Sequence, residues 1–214
     1  FSIGNADPIK VVVGYEWRSE DFDRTSDTVF AEGQLLGQGG PTPSLGGGFT
    51  VTEFFAEANI PLTENLTGDL AYRYSDYSTV GGQDTYRVGL DWQPIDLVRF
   101  RTGYNRAVRA PNVAELYSVN NLGLWAGTDP CSGATPEYTA AQCALTGVTA
   151  AQYGSVVQSP ADQYNQVTGG NVDLDVEEAD TITVGVVLTP TDNLTVSVDY
   201  WDIEIENTIA TVGA

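Results

Sequence analysis

Residues 84 to 92 read Asp84-Thr85-Tyr86-Arg87-Val88-Gly89-Leu90-Asp91-Trp92, an unbroken alternation. Tyr86, Val88, Leu90 and Trp92 fall on one side of an extended chain, and Thr85, Arg87, Gly89 and Asp91 on the other. An extended backbone sends successive side chains to opposite faces, so the stretch predicts a β-strand with one apolar and one polar face. The pattern recurs from Leu66 to Tyr74, at Ile182, Val184, Val186 and Leu188, and at Leu194, Val196, Val198 and Tyr200. Weaker versions run from Val11 to Trp17 and from Val98 to Tyr104. A seventh, Thr50 to Ile60, is irregular because Phe55 sits among Glu53, Glu57 and Asn59.

The connections between these seven strands sort by length. Pro61 to Asn65, Pro94 to Asp96 and Pro190 to Asn193 are short and carry the Pro, Asn and Asp of tight turns. The others are Ser78 to Gln83 and two long loops, residues 19–49 and 109–175. Along the chain every short turn falls on one rim and every other connection on the opposite rim. That asymmetry predicts an all-β, antiparallel, up-and-down transmembrane β-barrel wall with long extracellular loops and short periplasmic turns. Trp92 and Phe100 near the turns, with Trp17, Tyr74, Tyr86, Tyr104 and Tyr200 toward the loops, would form the two aromatic girdles of such a wall.

Composition narrows the function. Nine basic residues face 29 acidic ones, for a formal charge of −20, and histidine is absent. Such a chain has no means of releasing counterions from nucleic acid, so no nucleic-acid partner is expected. Without histidine there is no Ser-His-Asp or Cys-His constellation, and no enzyme is expected. The Glu204 and Glu206 pair reads as rim solvation, not as a glycosidase pair. Asn171, Asp173, Asp175 and Glu177 mimic the start of a calcium loop, but Val176 and Ile182 stand where glycine and glutamate are required, so no metal site is expected. No cofactor is expected either. No run of about 18 apolar residues exists, which leaves a barrel as the way to cross a bilayer. Cys131 and Cys143, both in the long loop, read as a loop-stapling disulfide of an exported protein.

The stretch Phe100 to Tyr117, which includes Arg109, Ala110, Pro111, Asn112, Glu115, Leu116 and Tyr117, resembles a signature in the barrel of TonB-dependent outer-membrane receptors. Gly170 to Gly185, with Asn171, Leu174 and Glu177, resembles the family's segment leading into a strand, although Val172 and Val176 replace its usual prolines. Leu194 to Ile205 resembles the strand that follows. The resemblance implies that residues 1–214 form a partial barrel domain, about seven strands of a wall of about 22. The plug domain, its energy-coupling box and a terminal aromatic residue are expected elsewhere. It further implies a protein of the Gram-negative outer membrane, in contact with outer-membrane lipid. Such a protein captures a scarce nutrient, such as an iron-siderophore, cobalamin or an oligosaccharide, and imports it with energy from TonB reached through the plug.

Within that reading Arg73, Arg87, Arg99 and Arg101 share the polar face. They either contact an anionic ligand or the plug, or pair across strands with Glu53, Glu57, Asp69 and Asp91. Arg106 and Arg109 read as anchors of the loop. Tyr117, Trp125 and Tyr138 are the loop aromatics offered as ligand contacts, since amphipathic rings stack at low entropic cost. The competing readings are a secreted or surface adhesive β-domain, whose apolar face would meet a second sheet, and a passive porin-like barrel.

Overall fold

The computed structural model describes residues 1–3, 6–37 and 40–210. The elements are β1 (Lys10–Arg24), α1 (Thr28–Ala31), β2 (Leu45–Thr63), β3 (Leu66–Tyr77), β4 (Gly81–Ile95), β5 (Val98–Arg109), α2 (Val113–Tyr117), β6 (Asn121–Ala126), α3 (Ala140–Ala144), β7 (Gln163–Thr168), β8 (Glu177–Thr191) and β9 (Leu194–Glu206). Seven strands form one open sheet in the order β1-β2-β3-β4-β5-β8-β9, and β6 pairs with β7 separately. The registered pairs from β2 to β9 are all antiparallel, as an up-and-down meander requires. The chain divides into two units, described separately: residues 1–22, 46–116 and 171–210 carry the sheet, and residues 23–45 and 117–170 the loop segments.

Each short turn is two residues long, and each is flanked by a proline inside the strand end. Pro61, Pro94 and Pro190 coincide with the register shifts between Pro61 and Thr63, Trp92 and Ile95, and Leu188 and Thr191. Proline has no N–H to give the ladder; pairing skips across Pro94 and Pro190, and across Leu62 just after Pro61, and resumes beyond. The sequence reading ended the strands at these prolines; the strands instead continue through them as bulges. They also run further toward the loops, so the connections narrow to residues 25–44, 78–80 and 110–176, and the last contains the β6–β7 hairpin and two short helices.

One face of the sheet is apolar and uncovered by its own unit. Val88 is 47% exposed, Leu90 44%, Val184 51% and Val198 64%. Aromatic pairs bridge neighbouring strands on this face: Trp92 with Phe100 at 5.6 Å near the turns, and Tyr86 with Tyr104 at 5.9 Å toward the loops. A sandwich would have buried these side chains against a facing sheet. Among the described residues of this unit the buried apolar side chains are instead Ala6, Val51 and a group at the foot of the long loop, Val113, Leu116 and Val176.

The apolar-to-polar alternation holds only part-way up the strands. Beyond the tyrosines the same face turns charged: Tyr86 is opposite Arg106, Ile182 opposite Asp202, and Arg106 opposite Asp180. On β9 the apolar set therefore changes sides after Tyr200, with Trp201, Ile203 and Ile205 on the polar face and Asp202, Glu204 and Glu206 opposite. Tyr72 donates its hydroxyl to Asp84 at 2.5 Å and Tyr104 to Asp180 at 2.7 Å, which ties the ring row to the charged row above it.

Candidate functional site

The polar face is built from register rows. Arg18 of β1, Glu53 of β2, and Arg73 and Ser75 of β3 form one cluster. The Glu53 carboxylate, 3% exposed, accepts from Arg18 at 2.8 Å, from Arg73 at 3.3 Å and from the Ser75 hydroxyl at 2.5 Å. A buried carboxylate is tolerable only when its lone pairs are taken up, and here three donors take them. Phe55, the residue that spoiled the alternation of β2, has a reason to be on this side. Its ring lies beneath the Arg73 guanidinium at 4.8 Å and over Gly14, where any Cβ would stand 2.1 Å from the ring. Gly14→Ala is accordingly expected to destabilise the sheet by about 1–3 kcal/mol through displacement of that ring, measured by denaturant unfolding of the whole protein.

Toward the turns the other arginines close on carboxylates too. Arg99 takes Asp91 through its Nε at 2.8 Å and its Nη2 at 2.5 Å. Arg101 forks onto Asp199 at 2.8 and 2.6 Å, two strands away, by passing over Gly185. Asp69 accepts instead from Asn59 at 2.8 Å. These residues line two open grooves of about 740 and 520 Å³. Of the four arginines offered as ligand contacts, three are thus engaged across strands, and Arg87 is the exception.

At the loop end of the sheet, beyond the tyrosine row, the residues of the two motifs meet. Asn112 and Glu115 cap α2 reciprocally: the Glu115 amide donates to Asn112 Oδ1 at 3.0 Å and the Asn112 amide to Glu115 Oε2 at 2.8 Å. Arg109 bonds Glu115 at 3.0 Å and Glu177 at 2.5 Å, and the Asn171 amide donates to the Glu115 carbonyl at 2.8 Å. Pro111, Leu116 and Val176 are buried beneath. The two ends of a segment of more than sixty residues are therefore fastened by one guanidinium. Arg106 is similarly held, by Glu178 and Asp180. Sequence spacing could not show this closure, because Arg109 and Glu177 are 68 positions apart.

The clamp is pH-sensitive. Arg109, and then the Ile209 amide, hold the Glu177 carboxyl down to about 2, below its ordinary 4.5. A carboxyl depressed in the folded state contributes stability that is complete above pH 4.5 and is lost as pH falls through 2. Amide-exchange protection of Ile209, whose N–H donates to Glu177, should hold at pH 5 and fall on approach to pH 2, with Glu177→Gln lacking the transition.

In the loop unit Cys131 and Cys143 are joined by a disulfide, both buried. α3 begins at a Thr139 and Gln142 capping box, and the Tyr153 hydroxyl donates to the Tyr138 carbonyl at 2.9 Å. Trp125 packs on Tyr164 across the β6–β7 hairpin, at 5.8 Å, and over Gly127. Its ring thus has a structural use within the hairpin. Tyr138 is 47% exposed, and Tyr117 is half-buried at the end of α2. Among the described residues no group of three or more metal-binding side chains comes together.

Comparison with known proteins decides the family. Residues 2–214 match the family described as TonB dependent receptor-like, beta-barrel. The chain belongs to that family. No curated protein matches this TonB-dependent receptor barrel chain by sequence. Among solved structures it is similar to the siderophore receptor PirA from Acinetobacter baumannii, with 17% identity and a TM-score of 0.60 over 95% of this chain and 25% of that one. It is also similar to the ferric enterobactin receptor PfeA of Pseudomonas aeruginosa, in a variant in complex with enterobactin, with 20% identity and a TM-score of 0.63 over 95% and 26%. PirA from Pseudomonas aeruginosa gives 18% and 0.60 over 92% and 29%. At these identities the likeness is one of fold, and the TonB-dependent receptor barrel chain spans about a quarter of the length of these structures.

Proposed function

We propose that this chain is a section of barrel wall in an outer-membrane receptor that binds a ferric siderophore and imports it with energy supplied through TonB. The observation that carries the reading is one sheet with two chemistries: an apolar, girdled face that its own unit leaves open, and a polar face of arginines and carboxylates. Lipid is the partner that an apolar face of this height suits, since strands of 12 to 15 residues such as β3, β4, β5 and β8 exceed the 9–11 needed to cross. The polar face would line a wet lumen. The fully exposed strand β9 has an unpaired edge, which suits continuation of the wall by further strands.

Siderophore cargo is favoured over cobalamin or an oligosaccharide because the similar structures are siderophore receptors, one of them in complex with enterobactin. Within the loop unit, stapled by its disulfide, Tyr117 and Tyr138 are offered as ligand contacts.

Deleting the parent gene should abolish growth on iron supplied as a ferric siderophore, and inactivating TonB should do the same. Uptake that survives loss of TonB would mark a passive porin. Growth lost on cobalamin or on an oligosaccharide, with iron uptake intact, would move the cargo class.

A further inference from the structure

Among the described residues of the sheet unit, one guanidinium of the polar face has no counter-ion. Arg18, Arg73, Arg99 and Arg101 each end on a carboxylate. Arg87, exposed and lining both grooves, has no ion-pair or hydrogen-bond partner among the described residues. Its register row runs Glu57, Ala71, Arg87, Asn105 and Thr181 across β2, β3, β4, β5 and β8. The Asn105 and Thr181 side chains are likewise unpartnered among the described residues.

The nearby acids are committed elsewhere: Asp69 to Asn59, Asp91 to Arg99, and Glu53 to its three donors. Glu57 stands beyond Ala71 and makes no ion pair with Arg87. In a chain with 29 acidic and 9 basic residues, an arginine left open on a face where its neighbours are paired is the exception to be explained. The register also supplies room, because Gly89 and Gly103 occupy the next row toward the turns.

We propose that Arg87, assisted by Asn105 and Thr181, binds an oxyanion of the carboxylate or phosphate class in this groove. A guanidinium fork offers two parallel N–H donors to two oxygens of one anion, and charge-assisted bonds of this kind are the strong ones. The neighbouring amide and hydroxyl add neutral donors without adding a competing charge. The oxyanion comes either from imported cargo or from another segment of the same protein. Only that choice of sources rests on the reading of this face as a lumen.

The test is phenylglyoxal modification of the full-length receptor in detergent, with Arg87 read by peptide mass spectrometry and exposed Arg24 as internal reference. Protection of Arg87 by about tenfold in the untreated receptor, unchanged in Glu57→Gln, supports an occupant from the protein's own chain. Fast reaction in the untreated receptor, slowed about tenfold by saturating inorganic phosphate but not by chloride at equal ionic strength, supports an external oxyanion. In Asn105→Ala that phosphate protection should weaken. Fast reaction that phosphate does not slow overturns the proposal, as does protection that disappears in Glu57→Gln, since Glu57 would then be the partner. A receptor that imports iron while Arg87 stays reactive under all conditions would refute this site alone and leave the transport reading standing.

Discussion

Glu53→Ala is expected to destabilise the folded sheet by about 3 kcal/mol, the largest effect of any single substitution on the polar face. Removing one partner of a buried ion pair costs about 3–5 kcal/mol, because the remaining charge stays desolvated without compensation. The lower end applies here, since Arg18 and Arg73 are 33% and 39% exposed and water recovers part of the loss. The Ser75 hydroxyl would be orphaned as well, in a residue only 2% exposed. Glu53→Gln should cost less, because its carbonyl still accepts one of the three bonds. Denaturant unfolding of the whole protein, compared for the two variants, measures both. Equal costs would mean that the retained carbonyl contributes nothing and the charge carries the whole effect; a Gln variant as stable as the unaltered protein would mean that the charge contributes nothing.

Replacing Cys131 and Cys143 together by serine should cost about 3 kcal/mol, confined to the loop unit. The bond closes a separation of 12 residues, and the loop-closure entropy removed from the unfolded chain is of that size. Proteolysis within residues 127–162 should accelerate sharply while the sheet's unfolding midpoint stays in place, because the sheet's own ion pairs and buried Val51 do not involve this bond. A parallel loss of sheet stability would show that the disulfide supports more than its loop.

The meander was legible because period-2 alternation and turn chemistry are local properties. Asp84 to Trp92 announces both its strand and its faces. What eluded the sequence depends on partners. Phe55 looked like a flaw in β2 until Gly14 and Arg73 appeared on either side of it. The reversal of β9 after Tyr200 was hidden because Trp201, Ile203 and Ile205 alternate as well as the residues before them; only pairing with β8 reveals the change of side. The four arginines read as one cluster, yet three are engaged across strands, and the reach of Arg101 over Gly185 to Asp199 spans 98 positions. The motif around Arg109 could be recognised but not explained, since its partner Glu177 lies on the far side of the long loop.

The central claim is that the apolar side chains of this sheet face hydrocarbon and their polar neighbours face water. Spin labels placed singly at Val88, Leu90, Val186 and Val198, and at Gly89, Asn105 and Thr183, in the full-length receptor reconstituted into lipid, test it most directly. The first set should be relaxed strongly by oxygen and weakly by a water-soluble nickel chelate, and the second set the reverse. Labels at Leu90, Val186 and Val198 shielded from both reagents would place those residues in a protein core and contradict the account.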